Sequence, residues 1–280
     1  MTWTRRKALR CLCAGGWMAA QCFSTRVEAR EVDPPGAFTF AVINDLHYIS
    51  PACGKFLRGV FARINEFKTE LCLVAGDLTE FGRREDLAAV RRIFDESGLR
   101  CYPVIGNHDY TSAGSARYYK YFFPRRLNYH FQHRGWQFVG LDTSEGLKYE
   151  NTRVSEETLL WLKRQVPRLS PTAPTVVFTH FPLGPGVRYR PQNADAVLEH
   201  LNGLNIKAIF CGHFHGYTRK TVLGTTAYTN RCCALQRNNH DRSREKGFFV
   251  CEAGPEGVGV KFVEVPVPPV PQSNSTRKPS

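Results

Sequence analysis

Five times along the chain an apolar, β-branched run stops at a short polar loop carrying an aspartate, a histidine or an asparagine. The most telling instance is Cys101-Tyr102-Pro103-Val104-Ile105-Gly106-Asn107-His108-Asp109. Val104 and Ile105 favour a strand, Gly106 breaks it, and an amide, an imidazole and a carboxylate follow in succession. The other four runs are Ala37 to Ile43, ending in Asn44-Asp45-Leu46-His47; Leu71 to Ala75, ending in Gly76-Asp77-Leu78-Thr79; Thr175 to Thr179, ending in His180; and Ile206 to Cys211, ending in Gly212-His213-Phe214-His215. Short apolar runs alternating with helical stretches are the pattern of buried strands in a layered α/β domain. Such sheets place their chemistry in the loops at the strand ends.

The segments between the runs read as helices. Phe56, Val60, Phe61 and Ile64 recur at helical spacing over Lys55 to Phe67. A second helix spans Arg84 to Ser97 and stops at Gly98, a residue suited to the left-handed turn that ends helices. The middle is less regular, with a short helix expected over Ser115 to Phe122 and a hairpin of Asn128 to Gln132 with Gln137 to Leu141 around Arg134-Gly135. Ser155 is an N-cap for a helix to about Val166, and Gln192 to Leu201 is a further helix. Short strands continue to Val263, suited to completing a second sheet, and Val265 to Ser280 is a proline- and serine-rich tail expected to be disordered.

At 280 residues the chain can bury a large core, and it holds no apolar run long enough to span a bilayer. Its formal charge is +13, of which residues 1–29 carry +4 (Arg5, Arg6, Lys7, Arg10 and Arg26 against Glu28), leaving +9 for the rest. That balance favours anionic partners: phosphates, nucleic acid or a membrane surface. Thr4-Arg5-Arg6-Lys7-Ala8-Leu9-Arg10 resembles a twin-arginine export signal, departing from it mainly at Ala8, where a bulky apolar residue is usual. An uncharged stretch from Cys11 to Phe23 and a small-residue cleavage site at Val27-Glu28-Ala29 complete the pattern, so the expected location is periplasmic or extracellular. Seven cysteines remain beyond residue 29, with no zinc-type spacing and an odd count, and free thiols are expected, with Cys232-Cys233 left open. The expected organisation is a signal segment at 1–29, one domain at 30–264 and the tail at 265–280.

The residues past the strand ends form a set: Asp45, His47, Asp77, Asn107, His108, His180, His213 and His215. Strand ends of one sheet share an edge, so these groups are expected to converge. Carboxylate, imidazole and amide donors without a thiolate suit divalent manganese, iron or zinc. Asp-x-His and His-x-His at two-residue spacing aim both side chains the same way from extended backbone.

This series, from Asp45-x-His47 through Gly76-Asp77, Gly106-Asn107-His108-Asp109 and His180 to Gly212-His213-x-His215, resembles the calcineurin-like metallophosphoesterases over roughly residues 38–216. Leu141-Asp142-Thr143-Ser144 and the Trp161-Leu162 helix are similar to the branch of class III cyclic nucleotide phosphodiesterases. The resemblance implies a four-layer α/β/β/α sandwich of the metallo-dependent phosphatase type. It also implies two divalent metal ions, the first on Asp45, His47 and His215 and the second on Asn107, His180 and His213, with Asp77 bridging both. Purple acid phosphatases carry a tyrosine three residues after the bridging aspartate; Glu80 stands there in this chain, so their colour should be absent.

Two ions roughly 3.5–4 Å apart clamp a phosphate, and a water bridging them becomes a hydroxide nucleophile near neutral pH. His108 would protonate the leaving alcohol and Asp109 would orient its ring. The expected activity is hydrolysis of a phosphomonoester or phosphodiester of a small molecule or anionic head group. Arg125, Arg126, Arg188 and Arg190 stand as candidates to grip a second phosphate, and the run Tyr118 to Phe123 as a candidate base platform. A nuclease or nucleic-acid binder and a non-catalytic scaffold on the same fold are the alternatives.

Overall fold

Strand alternation sorts the apolar residues onto two faces. In the computed structural model, which describes residues 36–268, β1 (Phe38–Ile43) turns Phe38, Phe40 and Val42 to one side and Ala41 and Ile43 to the other. β2 (Leu71–Ala75) divides Leu71 and Leu73 from Cys72 and Val74 in the same way. The Ala41–Cys72 side packs under α1 (Pro51–Glu66), α2 (Arg84–Ser97) and α3 (Arg117–Phe122).

A second set of strands does the same in reverse. β5 (Trp136–Leu141), β6 (Thr175–Thr179) and β7 (Ile206–Cys211) direct Trp136, Phe138, Val176, Phe178, Ala208 and Phe210 at the first sheet. Val139, Leu141, Val177 and Ile209 face α4 (Glu156–Gln165) and α5 (Ala194–Leu201). The outcome is the expected four-layer α/β/β/α sandwich with three apolar seams. Aromatic rings dominate the middle one: Phe40 meets Phe138 and Phe210 edge to face, at centroid distances of 5.8 and 6.1 Å.

With β3 (Arg100–Val104), β4 (Tyr129–His133), β8 (Thr218–Val222), β9 (Thr225–Thr229), β10 (Lys246–Gly254) and β11 (Gly257–Val265), the sheet orders are β11-β10-β1-β2-β3 and β4-β5-β6-β7-β9-β8. β1, β2 and β3 run parallel, as do β5, β6, β7 and β9. Parallel neighbours bring their carboxyl ends to a common edge, which is what gathers the polar loops.

Local signals explain most boundaries. Gly98 closes α2 at φ +72°, and Arg134 and Gly135, both at positive φ, make the tight turn between β4 and β5. α1 starts four residues before the expected Lys55, because Ser50 caps it by accepting from the Cys53 N–H and Pro51 fits the first turn. β11 extends to Val265, paired with Lys246, beyond the expected last strand end. The segment expected as an export signal, and the tail past residue 268, lie outside the described residues. Among the described residues no helix is long and apolar enough to cross a membrane, and all seven cysteines are free.

Candidate metal centre

The polar loops do converge, but on two edges rather than one. The first sheet supplies Asp45 and His47 after β1, Asp77 after β2, and Asn107 and His108 after β3; the second supplies His180 after β6, and His213 and His215 after β7. The first sheet therefore contributes five of these eight residues and the facing sheet three. His213 N–H donates to Asp45 Oδ2 at 3.0 Å and His180 Nδ1 lies 3.0 Å from the Ala75 carbonyl, so the two groups are tied by hydrogen bonds. Asp45, His47, Asp77, His213 and His215 all take left-handed backbone, at φ between 46° and 64°. Each such residue costs on the order of 1–3 kcal/mol, and a cluster of them marks a place where side-chain aim outweighs backbone comfort. Two glycines allow the close approach. A Cβ on Gly76 would sit 2.5 Å from His180 Nδ1, and one on Gly106 would sit 2.2 Å from Asp77 Oδ1.

Three of the four histidines have one ring nitrogen held from behind by a backbone carbonyl, and the fourth, His47, faces a carboxylate there. His180 Nδ1 faces the Ala75 carbonyl at 3.0 Å, His213 Nε2 the Tyr149 carbonyl at 2.7 Å, and His215 Nδ1 the Asn238 carbonyl at 3.3 Å. His47 Nδ1 lies 3.0 Å from Glu80 Oε2. Carbonyls only accept, so each fixes an N–H on its side and leaves the other nitrogen a lone pair directed inward; the Glu80 charge favours the same tautomer at His47. Inside, His47 Nε2 and His215 Nε2 are 3.1 Å apart, as are His180 Nε2 and His213 Nδ1. Two facing lone pairs repel unless a cation lies between them. Asp45 Oδ1 is 3.1 Å from His215 Nε2, and Asn107 Oδ1 is 3.1 Å from His180 Nε2. Asp77 Oδ2 reaches both groups, 3.6 Å from His47 Nε2 and 3.4 Å from His180 Nε2. The donor set fits a pair of divalent ions sharing one carboxylate.

The electrostatics agree. Burial would raise the Asp77 carboxyl, but His180, His108 and His47 hold it well below the usual range. Burial would lower His180, yet Asp77 and Asp45 raise it to about 9, while burial and the neighbouring His180 push His213 down to about 3. Two buried carboxylates thus demand positive charge at this point. Divalent cations meet that demand and release protons as they bind.

His108 borders the centre without entering it. Its Nδ1 lies 2.9 Å from the Glu80 carbonyl, which leaves Nε2 toward a cavity of about 530 Å³ that Asp77, Asn107 and His213 also line. Asp109 does not orient that ring, contrary to expectation. Its carboxylate is buried beneath the turn, where it accepts from the N–H groups of Leu78, Thr79 and Gly106 at 2.9–3.1 Å; burial and the Asp77 charge push it up to about 7. Asp109 instead fastens the β2 and β3 loops to each other. Glu80 takes the orienting place, and Arg237 grips both of its carboxylate oxygens, with Nη2 lying 3.4 Å from His108 Nε2.

The expected arginines serve elsewhere. Arg190 pairs with Asp195, and Arg126 stacks over Tyr102 and Tyr129; Arg125 and Arg126 line a separate cavity. Arg188 lies over the Tyr189 ring at 4.6 Å. In the run from Tyr118 to Phe123, Tyr119 is buried, with its hydroxyl on the Pro103 and Arg126 carbonyls, so packing accounts for it.

The profile of the family described as calcineurin-like phosphoesterase matches residues 38–217. The chain belongs to that family. As a calcineurin-like phosphoesterase it is a metal-dependent phosphoric ester hydrolase with divalent metal cofactors. It is 26% identical over 214 residues to a probable glycerophosphodiester phosphodiesterase of Arcobacter nitrofigilis, covering 71% of this chain and 76% of that one. A probable cyclic nucleotide phosphodiesterase of Synechococcus is 24% identical over 196 residues, 63% of this chain and 73% of its own. Among solved structures, a dimetal phosphatase from Danio rerio superposes with a TM-score of 0.60 at 18% identity, covering 84% of this phosphoesterase and all of that chain. A purple acid phosphatase from yellow lupin seeds gives a TM-score of 0.58 at 12% identity, over 82% of this chain and 52% of that one. These two structures share the sandwich.

Proposed function

We propose that the protein is a dinuclear phosphodiesterase of the branch related to class III cyclic nucleotide phosphodiesterases. Asp45, His47 and His215 would hold one ion and Asn107, His180 and His213 the other, with Asp77 within reach of each. Manganese, iron and zinc suit the donors. When bound, the pair supplies Lewis acidity toward phosphate oxygens and a nucleophile from water near neutral pH. The observation that carries this reading is the set of four buried histidines, whose inward nitrogens meet in two pairs, each at 3.1 Å, around Asp77.

The remaining roles follow from position. His108, its Nδ1 proton committed to the Glu80 carbonyl, presents Nε2 to the cavity and protonates the leaving alcohol. Arg237, anchored by Glu80 beside that nitrogen, places positive charge next to the phosphate. Asp109 holds the loop that carries His108. Preference for a diester is supported by the two curated relatives, both named as probable phosphodiesterases. The basic segment at Arg5-Arg6-Lys7 supports export by the twin-arginine route, which tracking of a tagged full-length chain in a twin-arginine-deficient host would test.

The deciding experiment pairs metal analysis with nitrophenyl mono- and diesters, assayed with and without manganese. Two metals per chain and chelator-sensitive hydrolysis, faster on the diester, are expected. A chain that takes up no metal sinks the site assignment, and preference for the monoester sinks the diester reading.

A further inference from the structure

We infer that the groove between α1 and the segment from Val265 to Pro268 is a binding site for a long-chain carboxylate of fatty-acid type, separate from the phosphoester cavity. The groove encloses about 1310 Å³, against about 530 Å³ for the cavity at the metal centre. Neither His108 nor any residue of the donor set lines it, so a molecule held there is not placed for hydrolysis.

The groove has apolar surface on several sides. Phe56 and Val265 are buried, Leu235 is half-buried, and Val267, 37% exposed, is among the few large apolar side chains left open to water. On the α1 side stands Gly59, where an added Cβ would meet nothing within 4 Å. The helix therefore presents no bulk at that point. Exposed apolar surface gathered in a concave place is what an apolar ligand covers.

Charge narrows the ligand. Five cationic side chains line the groove and Glu66 is its one acid. Arg63 is paired with Glu66 and Arg237 with Glu80; among the described residues, Lys55, Arg244 and Lys246 form no ion pair with a carboxylate. Lys246 carries most weight, being only 6% exposed. Its Nζ donates to the Arg237 carbonyl at 2.6 Å and to Asn239 Oδ1 at 3.5 Å, and lies 2.9 Å from Cys232 Sγ. Those contacts occupy its hydrogens and bring no carboxylate to its charge. Lysine is rarely buried on such terms, because an ammonium taken out of water needs a counter-charge. An anionic group beside Arg244 and Lys246 supplies it. A bare anion such as phosphate would leave the apolar surface in water, and a cationic amphiphile would add to the unbalanced charge. An acyl chain ending in a carboxylate covers the one and balances the other.

Calorimetry on the full chain compares decanoate, dodecanoate and dodecyltrimethylammonium, each below its micellar concentration. One dodecanoate per chain is expected, bound roughly 15-fold more tightly than decanoate, at roughly 4-fold per buried methylene. The cation of equal length should bind at least about tenfold more weakly. Gly59→Trp fills the groove from an exposed helix position and should abolish dodecanoate binding, with the far-ultraviolet circular dichroism unchanged. Arg244→Glu should weaken dodecanoate by roughly 2- to 10-fold. Absence of dodecanoate binding, equal affinity for the two carboxylates, or full binding by Gly59→Trp would overturn the inference. So would a different occupant: a dimer in analytical ultracentrifugation that Gly59→Trp splits, or a Lys55–Lys278 crosslink in the ligand-free chain that the same substitution removes.

Discussion

Replacing Glu80 with glutamine removes one charge from the centre while keeping the size of the side chain. The Glu80 carboxylate, 15% exposed, lies 3.0 Å from His47 Nδ1 and accepts from Arg237 Nε at 2.9 Å. Burial would raise its pKa, but His47 and Arg237 outweigh burial and hold it at about 2, against an ordinary 4.5. At about 1.36 kcal/mol per pH unit that gap corresponds to about 3 kcal/mol, which the remaining solvent screening reduces to about 2 kcal/mol. In a domain of this size the melting temperature should fall by about 4–8 °C. The folded value is depressed, so the contribution is complete above pH 4.5 and is lost as pH falls toward 2. Melting curves in chelator should therefore separate the wild type from Glu80→Gln fully at pH 7, and the gap should narrow as pH falls from 4.5 toward 2. Because Glu80 also orients His47, manganese affinity should drop by about 10–100-fold in a calorimetric titration. Equal melting at pH 7 together with unchanged manganese affinity would refute the role given to this carboxylate.

His108→Ala should keep its metal and lose about 10²–10⁴-fold in kcat, read by metal analysis and steady-state kinetics on a diester with a poor leaving group. Gly106→Ala drives a Cβ to 2.2 Å from Asp77 Oδ1 and should abolish metal binding in a calorimetric titration. Gly59→Ala, with nothing within 4 Å of the new Cβ inside α1, should stabilise the chain to urea by about 0.5–1 kcal/mol. Phe138→Ala opens a hole between the sheets, where the ring stacks on Phe131 at 4.7 Å, and should cost about 3–5 kcal/mol in the same unfolding measurement.

The ligand residues were legible because they sit where apolar runs end, and a strand end is a local feature of sequence. The same holds for Gly98 after α2 and for the turn at Arg134-Gly135, where backbone conformation selects the residue. Which sheet each strand joins is not local: β1 and β7 read alike, yet they lie in different layers, facing each other where Phe40 meets Phe210. The partners of Asp109 and Glu80 were illegible for the same reason. Asp109 neighbours His108 in sequence but turns beneath the loop to Leu78 and Thr79, while Glu80 finds Arg237 from an irregular segment far along the chain. No spacing rule encodes such a pair. Arg188 and Arg190, only two residues apart, show how little sequence proximity decides: one supports an aromatic ring and the other is spent on Asp195.

The position of β1, between β2 and the late strand β10, bears on how the protein comes off the ribosome. Phe38 pairs with Ala253, so the first long strand made waits for one of the last before its sheet is whole. Four of the seven ligands proposed above hang from that sheet, and Asn44, next to Asp45, donates to the carbonyl of Asn230. A nascent chain stalled before β10 has translated every ligand and still lacks the frame that aims them. The centre is thereby tied to the last part of the chain, since β10 pairs along β1 and β1 ends in the loop that carries Asp45 and His47.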